Sequence, residues 1–233
     1  MIIVTAMWQN IFNNGDDISS VRDREKAYMN AQCKYLANYL KDNYSGNGKC
    51  LIILPPKDTG TLDNPDLDDK IAAFKEGFAN KISDIKTVPI KEGNMNPDGP
   101  EDEEPMDMFE ATAEDFNKVL EENSDYDLVI IMASLPYGEE IYDINLFKEK
   151  EDDDEKTTTV GVLSGNISTI TEILFEEKSI TAMTCWSDKP IIDENAAPDS
   201  YTEAFDKRYL LINSANMASM KLKHPKIFPK RRK

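Results

Sequence analysis

The sequence predicts an α/β fold: a mainly parallel open sheet with helices on both faces, in the Rossmann-like or flavodoxin-like manner. Three observations predict it. Short continuous apolar runs recur along the chain, as strands covered on both faces require. Segments with a one-sided apolar stripe at helical spacing lie between them. Strand–helix–strand alternation needs crossover connections, and crossovers leave the joined strands parallel. The chain has 233 residues, 40% of them apolar, enough to build a core over residues 1–220 as a single domain.

The elements follow in order. Residues 2–6 read as a strand, followed by a loop through Asn13-Asn14-Gly15-Asp16-Asp17. Residues 22–42 carry Met29, Cys33, Leu36 and Leu40 on one helical face, and residues 43–48 form a turn. The apolar run 50–54 is a strand stopped by Pro55-Pro56. Asn64-Pro65 starts a helix, an N-cap followed by Pro at the first position, with Leu67, Ile71, Phe74 and Phe78 as its stripe. A short strand at 86–90 precedes a Pro-, Gly- and acid-rich loop over 93–105. A helix around 112–122 buries Phe116, Val119 and Leu120. The most strand-like segment, 127–133, ends at Ser134-Leu135-Pro136. After the acidic stretch 149–155 come a strand at 158–163 and the turn Ser164-Gly165-Asn166. That turn opens a helix bearing Ile167, Ile170, Ile173 and Leu174. Two further strands are expected at 179–185 and 208–212. No internal repeat is present. The acidic stretches 101–104 and 151–155 lack the D-x-[DN]-x-[DN]-G spacing of a calcium loop and are expected to be surface loops that repel one another.

Charge excludes several classes of function. With 44 acidic against 27 basic side chains the net charge is −17, unsuited to a phosphate backbone. The exception is residues 221–233, with seven basic residues and no acid; without them the body stands at −24. This segment is expected to be a basic, solvated C-terminal tail, with an anionic partner such as lipid, RNA or the chain's own acidic loops as the sharper reading. No stretch approaches the roughly 20 apolar residues of a membrane span. Cys33, Cys50 and Cys185 are odd in number and sit in apolar settings, so they are expected to be buried free thiols. Met1 opens directly into Ile2-Ile3-Val4 with no basic leader. This reads as cytoplasmic, or as periplasmic if a leader precedes Met1.

In an open parallel sheet, ligands bind beyond the carboxyl ends of the strands. Reading those ends gives the candidate ligand-binding residues Trp8, Asp58, Ser134, Tyr137, Ser164, Asn166, Trp186 and Asp188, with Gln9, Lys57 and Asn213 beside them. Indoles stack on rings, while amides, hydroxyls and carboxylates bond to hydroxyls. Catalytic patterns are mostly missing. His224 is the only histidine and falls in the basic segment, which argues against a Ser-His-Asp or Cys-His device. No phosphate-loop or dinucleotide fingerprint is present, so no cofactor and no metal are expected. Ser164-Gly165-Asn166 at a helix start is a weak anion seat.

Five stretches carry a family resemblance. Gly48-Lys49-Cys50-Leu51-Ile52-Ile53-Leu54 resembles a glycine–lysine lead into a strand. Ala73-Phe74-Lys75-Glu76-Gly77-Phe78 resembles a "GFKEG" helix. Tyr126-Asp127-Leu128-Val129-Ile130-Ile131 resembles a strand that ends in "ND". Val160-Gly161-Val162-Leu163-Ser164-Gly165-Asn166 resembles "VGFDG", and residues 179–185 resemble an "I-x-ATV-x-Q" strand. Together they are similar to the C-terminal lobe of type I periplasmic sugar-binding proteins and of the ligand-sensing cores of bacterial repressors. Ala133-Ser134 stands where the family has "ND", and Ser164 where it has Asp. The resemblance implies one lobe of a solute receptor that binds a sugar-like ligand. The expected function is therefore non-catalytic binding of a small polar, sugar-like or nucleoside-like ligand. The alternatives are an interaction scaffold, with acidic loops and basic tail as contact surfaces, and a carboxylate-dependent hydrolase-like enzyme using Asp58 and Asp188.

Overall fold

The computed structural model describes residues 18–55, 65–90, 111–136, 138–148, 158–163, 167, 169–192 and 195–228. The expected strand at 2–6 and the acidic stretches lie outside these residues. Among the described residues six strands form one sheet: β1 (Lys49–Leu54), β2 (Asp84–Pro89), β3 (Leu128–Ile131), β4 (Thr159–Val162), β5 (Ala182–Trp186) and β6 (Tyr209–Ile212). Their order across the sheet is β2-β1-β3-β4-β5-β6. All neighbours are parallel until the last pair, where Met183 faces Ile212 and Trp186 faces Tyr209 in antiparallel register. The fold is thus the expected mainly parallel α/β sheet, closed at one edge by an antiparallel strand.

The helices are α1 (Ile18–Asn43), α2 (Pro65–Phe78), α3 (Ala113–Glu121), α4 (Thr169–Glu176), α5 (Tyr201–Arg208) and α6 (Met217–Lys223), with a 3-10 turn at Gly138–Asp143. Alternation along the strands divides the core. Cys50, Ile52, Leu128, Ile130 and Ala182 face α1 and α2, while Leu51, Ile53, Val129, Ile131, Val160, Val162 and Met183 face the layer holding α3, α4 and α6. Every residue of β3 and β4 is buried, which is why these segments read as unbroken apolar runs.

Helix α1 is packed on three sides: the sheet beneath, α2 on one flank and α5 on the other. Its buried set accordingly spreads beyond the narrow stripe of Cys33, Leu36 and Leu40 to Tyr28, Ala31, Gln32 and Ala37, while Met29 is half-buried. Gln32 Nε2 donates to Thr184 Oγ1 of β5 at 3.0 Å inside this layer, satisfying two buried polar groups at once. Against α2 the approach is close. A Cβ on Gly77 would stand 2.6 Å from Ala37 Cβ and 2.9 Å from the Lys34 carbonyl, so only glycine fits. The ion pairs Lys26–Asp69 and Lys34–Glu76 run in step along the two helices, showing that they descend side by side in the same direction.

The ends of the layers are closed differently. Under the amino ends of β1 and β3, the buried Asp127 carboxylate accepts the Tyr44 hydroxyl and, at 2.9 Å, the Asn47 N–H. The Tyr44 oxygen in turn accepts the Gly48 N–H at 2.8 Å. Burial and that carboxylate push the Tyr44 phenol up to about 12. Helix α3 starts at a reciprocal capping box between Thr112 and Asp115. The three cysteines are free and buried as expected, and burial raises each thiol far above physiological pH, which leaves them unreactive.

Of the basic segment expected to be a solvated tail, residues 229–233 lie outside the described residues, and residues 221–228 are tied to the fold. Its first residues belong to α6, whose Lys221 pairs with Glu172 of α4 at 2.7 Å, and Phe228 is buried in the core. The apolar residues Met217, Ile227 and Phe228 hold this stretch down against the basic residues between them.

Candidate functional site

The carboxyl ends of β1, β3, β4 and β5 share one rim. The chain order reverses between β1 and β3: the connection after β1 passes over the α1–α2 face to β2, and the one after β2 carries α3 on the opposite face to β3. The gap above these two strands is therefore the switch point where open α/β sheets receive ligands. Ser134, three residues beyond β3, lies at this point with its side chain exposed. Two strands away, Trp186 ends β5, about 10 Å across the rim at ordinary strand spacing.

Trp186 is 47% exposed although indole is among the side chains most driven to burial. Its ring rests on Tyr209, with centroids 5.0 Å apart at 52°, on the α1 face of the sheet. Beneath this pair lies a buried charge cluster. The Arg208 guanidinium, wholly buried, lies 3.4 Å above the Tyr28 ring and reaches both Glu25 carboxylate oxygens at 2.5 and 3.1 Å. Arg208 Nε and the Tyr28 hydroxyl are buried without hydrogen-bond partners. The cluster pins α5 and the antiparallel edge strand to α1, and so fixes the platform on which Trp186 stands.

Asp188 lies two residues past β5. Its side chain is 5% exposed, and Oδ1 accepts a bond from His224 Nδ1 at 2.7 Å; the imidazole itself is 23% exposed. His224, the C-cap of α6, is thereby brought onto the rim rather than left in a free tail. The bond and charge of His224, with Lys189 adding a smaller effect, hold the Asp188 carboxyl below the usual carboxylate range. A carboxylate with a depressed folded value stabilises the fold above its unfolded value, and that contribution vanishes as pH falls through the folded one. The melting-temperature gap between wild type and Asp188→Asn should therefore narrow as pH falls from about 5 through the carboxylate range. A gap that stays constant across this range would remove the ion pair as its cause.

The structure brings Ser134, Trp186 and Asp188 to one rim. Trp8, Asp58, Tyr137, Ser164 and Asn166, like Gln9 and Lys57, lie outside the described residues. Asn213 is a correction: β6 runs antiparallel, so its carboxyl end points to the opposite rim. There Asn213 and Asn216 bond reciprocally, each backbone N–H to the other's side-chain oxygen at 2.9 Å. Sequence reasoning missed Arg208, Glu25, Tyr28, Tyr209 and His224. Helix α5 had a legible signal in Ser200-x-x-Glu203, whose serine caps the helix, but nothing local links Arg208 to a partner 183 residues away. Among the described residues no three His, Cys, Asp or Glu side chains converge as a metal site, and no helix is long and apolar enough to cross a membrane.

No family model matches the chain, and no curated protein matches it. Solved structures with a similar arrangement include a sugar ABC transport system substrate-binding protein from Bordetella parapertussis (14% identity, 67% of this chain and 41% of that one, TM-score 0.40). An ABC transporter solute-binding protein from Burkholderia graminis in complex with D-arabinose is another (12%, 82% and 61%, 0.48). A periplasmic ribose ABC transporter protein from Conexibacter woesei is a third (9%, 83% and 60%, 0.44). The chain spans about two fifths to three fifths of the length of these structures. At these identities the likeness is one of fold alone.

Proposed function

We propose that the carboxyl rim binds a small polar ligand, sugar-like or nucleoside-like, without chemical change. The observation that carries this reading is Trp186: a large aromatic face left in water at the rim where such sheets bind, and held rigid on Tyr209. A rigid ring supplies a flat apolar surface at low entropic cost, and Ser134 across the switch point supplies a hydroxyl for orientation. The buried Arg208 cluster acts on the platform rather than on the ligand, since no guanidinium atom reaches solvent.

The test uses indole emission. The chain has two tryptophans, Trp8 and Trp186, so the wild-type chain is the sample and Trp186→Phe assigns the part of any change that Trp186 carries. A panel of D-arabinose, D-ribose, hexoses and nucleosides is titrated against both, with melting temperature followed in parallel. At least one compound should give a saturable change in emission and a raised melting temperature, and Trp186→Ala should weaken its binding about tenfold. If the whole panel leaves both signals flat up to about 10 mM, weaker than any useful affinity, the reading fails.

A further inference from the structure

The chain's single imidazole and a nearly buried carboxylate meet at the same rim, in an arrangement the binding reading does not yet use. Asp188 Oδ1 lies 2.7 Å from His224 Nδ1, the carboxylate is almost wholly out of water, and the imidazole keeps about a quarter of its surface in it. An ionised carboxylate has no hydrogen to give, so the shared proton belongs to Nδ1. In the neutral ring Nε2 then carries a lone pair and no proton.

The attachment of His224 is firm from both sides. It caps α6, its N–H bonding to the Met220 carbonyl at 2.8 Å, and its own carbonyl accepts the Ile227 N–H at 3.1 Å. The helix is anchored by buried Met217, by the Lys221–Glu172 pair and by buried Phe228 beyond. Asp188 is held by the short link from β5, whose Ser187 N–H bonds to the Arg208 carbonyl at 2.8 Å.

We propose that Asp188 and His224 form a hydrogen-bond-accepting dyad of the binding rim, in which Asp188 fixes the tautomer and His224 Nε2 accepts a bond from a ligand hydroxyl. The proposal rests on the rim-binding reading and specifies it. The ligand class is one that offers a hydroxyl donor, such as a sugar or a ribonucleoside. Asp188 is then a positioning residue acting through His224, not a direct ligand contact as its place at a strand end suggests.

One histidine in the chain makes the test direct, because a uniformly ¹⁵N-labelled sample shows only two imidazole nitrogens. In the full-length protein, well above the ordinary imidazole range, Nδ1 should be the protonated nitrogen and Nε2 the bare one. Asp188→Asn can turn its amide to donate to Nδ1, and should shift the ring toward the Nε2–H form; Asp188→Glu should restore the original tautomer. A merely structural carboxylate would change melting temperature without changing tautomer. A protonated Nε2 in the wild type overturns the proposal outright. The panel compound that moves Trp186 emission is then added. The Nε2 resonance should move with it, and Asp188→Asn should weaken binding about 3- to 10-fold, the worth of one hydrogen bond. If Trp186 responds while Nε2 stays still, the dyad is wrong and the rim reading stands. If neither responds to D-arabinose, D-ribose, the hexoses or the nucleosides, the rim reading fails and takes the dyad with it.

Discussion

Glu25→Gln should destabilise the protein by about 3 kcal/mol, whereas Arg208→Leu should cost no more than about half as much. The asymmetry follows from burial. Arg208 is wholly buried and Glu25 is 36% exposed, so removing the carboxylate strands a guanidinium with no access to water, while removing the guanidinium leaves a carboxylate that can hydrate. Breaking a buried pair from one side costs about 3–5 kcal/mol, and the exposure of Glu25 sets the expectation at the lower end. For a chain of this size that is a fall in melting temperature of about 6–12 °C. Arg208→Leu also removes the orphaned Nε, which offsets part of the lost stacking on Tyr28. The double variant Glu25→Leu with Arg208→Leu should lie closer to wild type than Glu25→Gln does. Equal losses from the two single variants in urea unfolding would show that the pair is not carrying a buried charge.

This cluster also marks the limit of what local patterns in the sequence reveal. The sheet was legible because each buried strand is a run such as Cys50-Leu51-Ile52-Ile53-Leu54, whose apolarity needs no partner to be recognised. The rim was legible in part, because a strand that ends in Trp186 and is followed by Ser187 and Asp188 announces a change from core to solvent. What faces Trp186 from below was not legible. The stacking of Arg208 on Tyr28 and its pairing with Glu25 depend on α1 and α5 lying antiparallel, which is a consequence of packing. Asn213 was misplaced for a related reason: an apolar run shows a strand but not its direction, and the reversal of β6 sends its carboxyl end to the other rim. His224 reads as part of a basic tail when charge is counted, yet the spacing of Met217, Ile227 and Phe228 draws the segment onto the core and the imidazole onto Asp188.

Phe74→Ala should cost about 3–5 kcal/mol, and nearer the upper figure. The ring is wholly buried between α2, α1 and the sheet, with Phe78 stacked 6.2 Å away and Cys33, Leu36, Leu40 and Ile52 in the same cluster. The cost of a core truncation depends on how far the surroundings can close over the void. Here closure is blocked at one end, because Gly77 already sits where α2 meets Ala37 and the Lys34 carbonyl with no room for even a methyl group. The helices cannot come closer there, and the Lys26–Asp69 and Lys34–Glu76 pairs resist sliding. The void should persist, and for a domain at the lower end of the usual range of about 5–15 kcal/mol the variant would be marginal at 37 °C. Phe74→Leu, which keeps most of the volume, should lose less than about 1.5 kcal/mol. A loss under about 1 kcal/mol for Phe74→Ala in urea unfolding would mean that α2 moves freely over α1, and the glycine contact would no longer explain why these two helices keep their spacing.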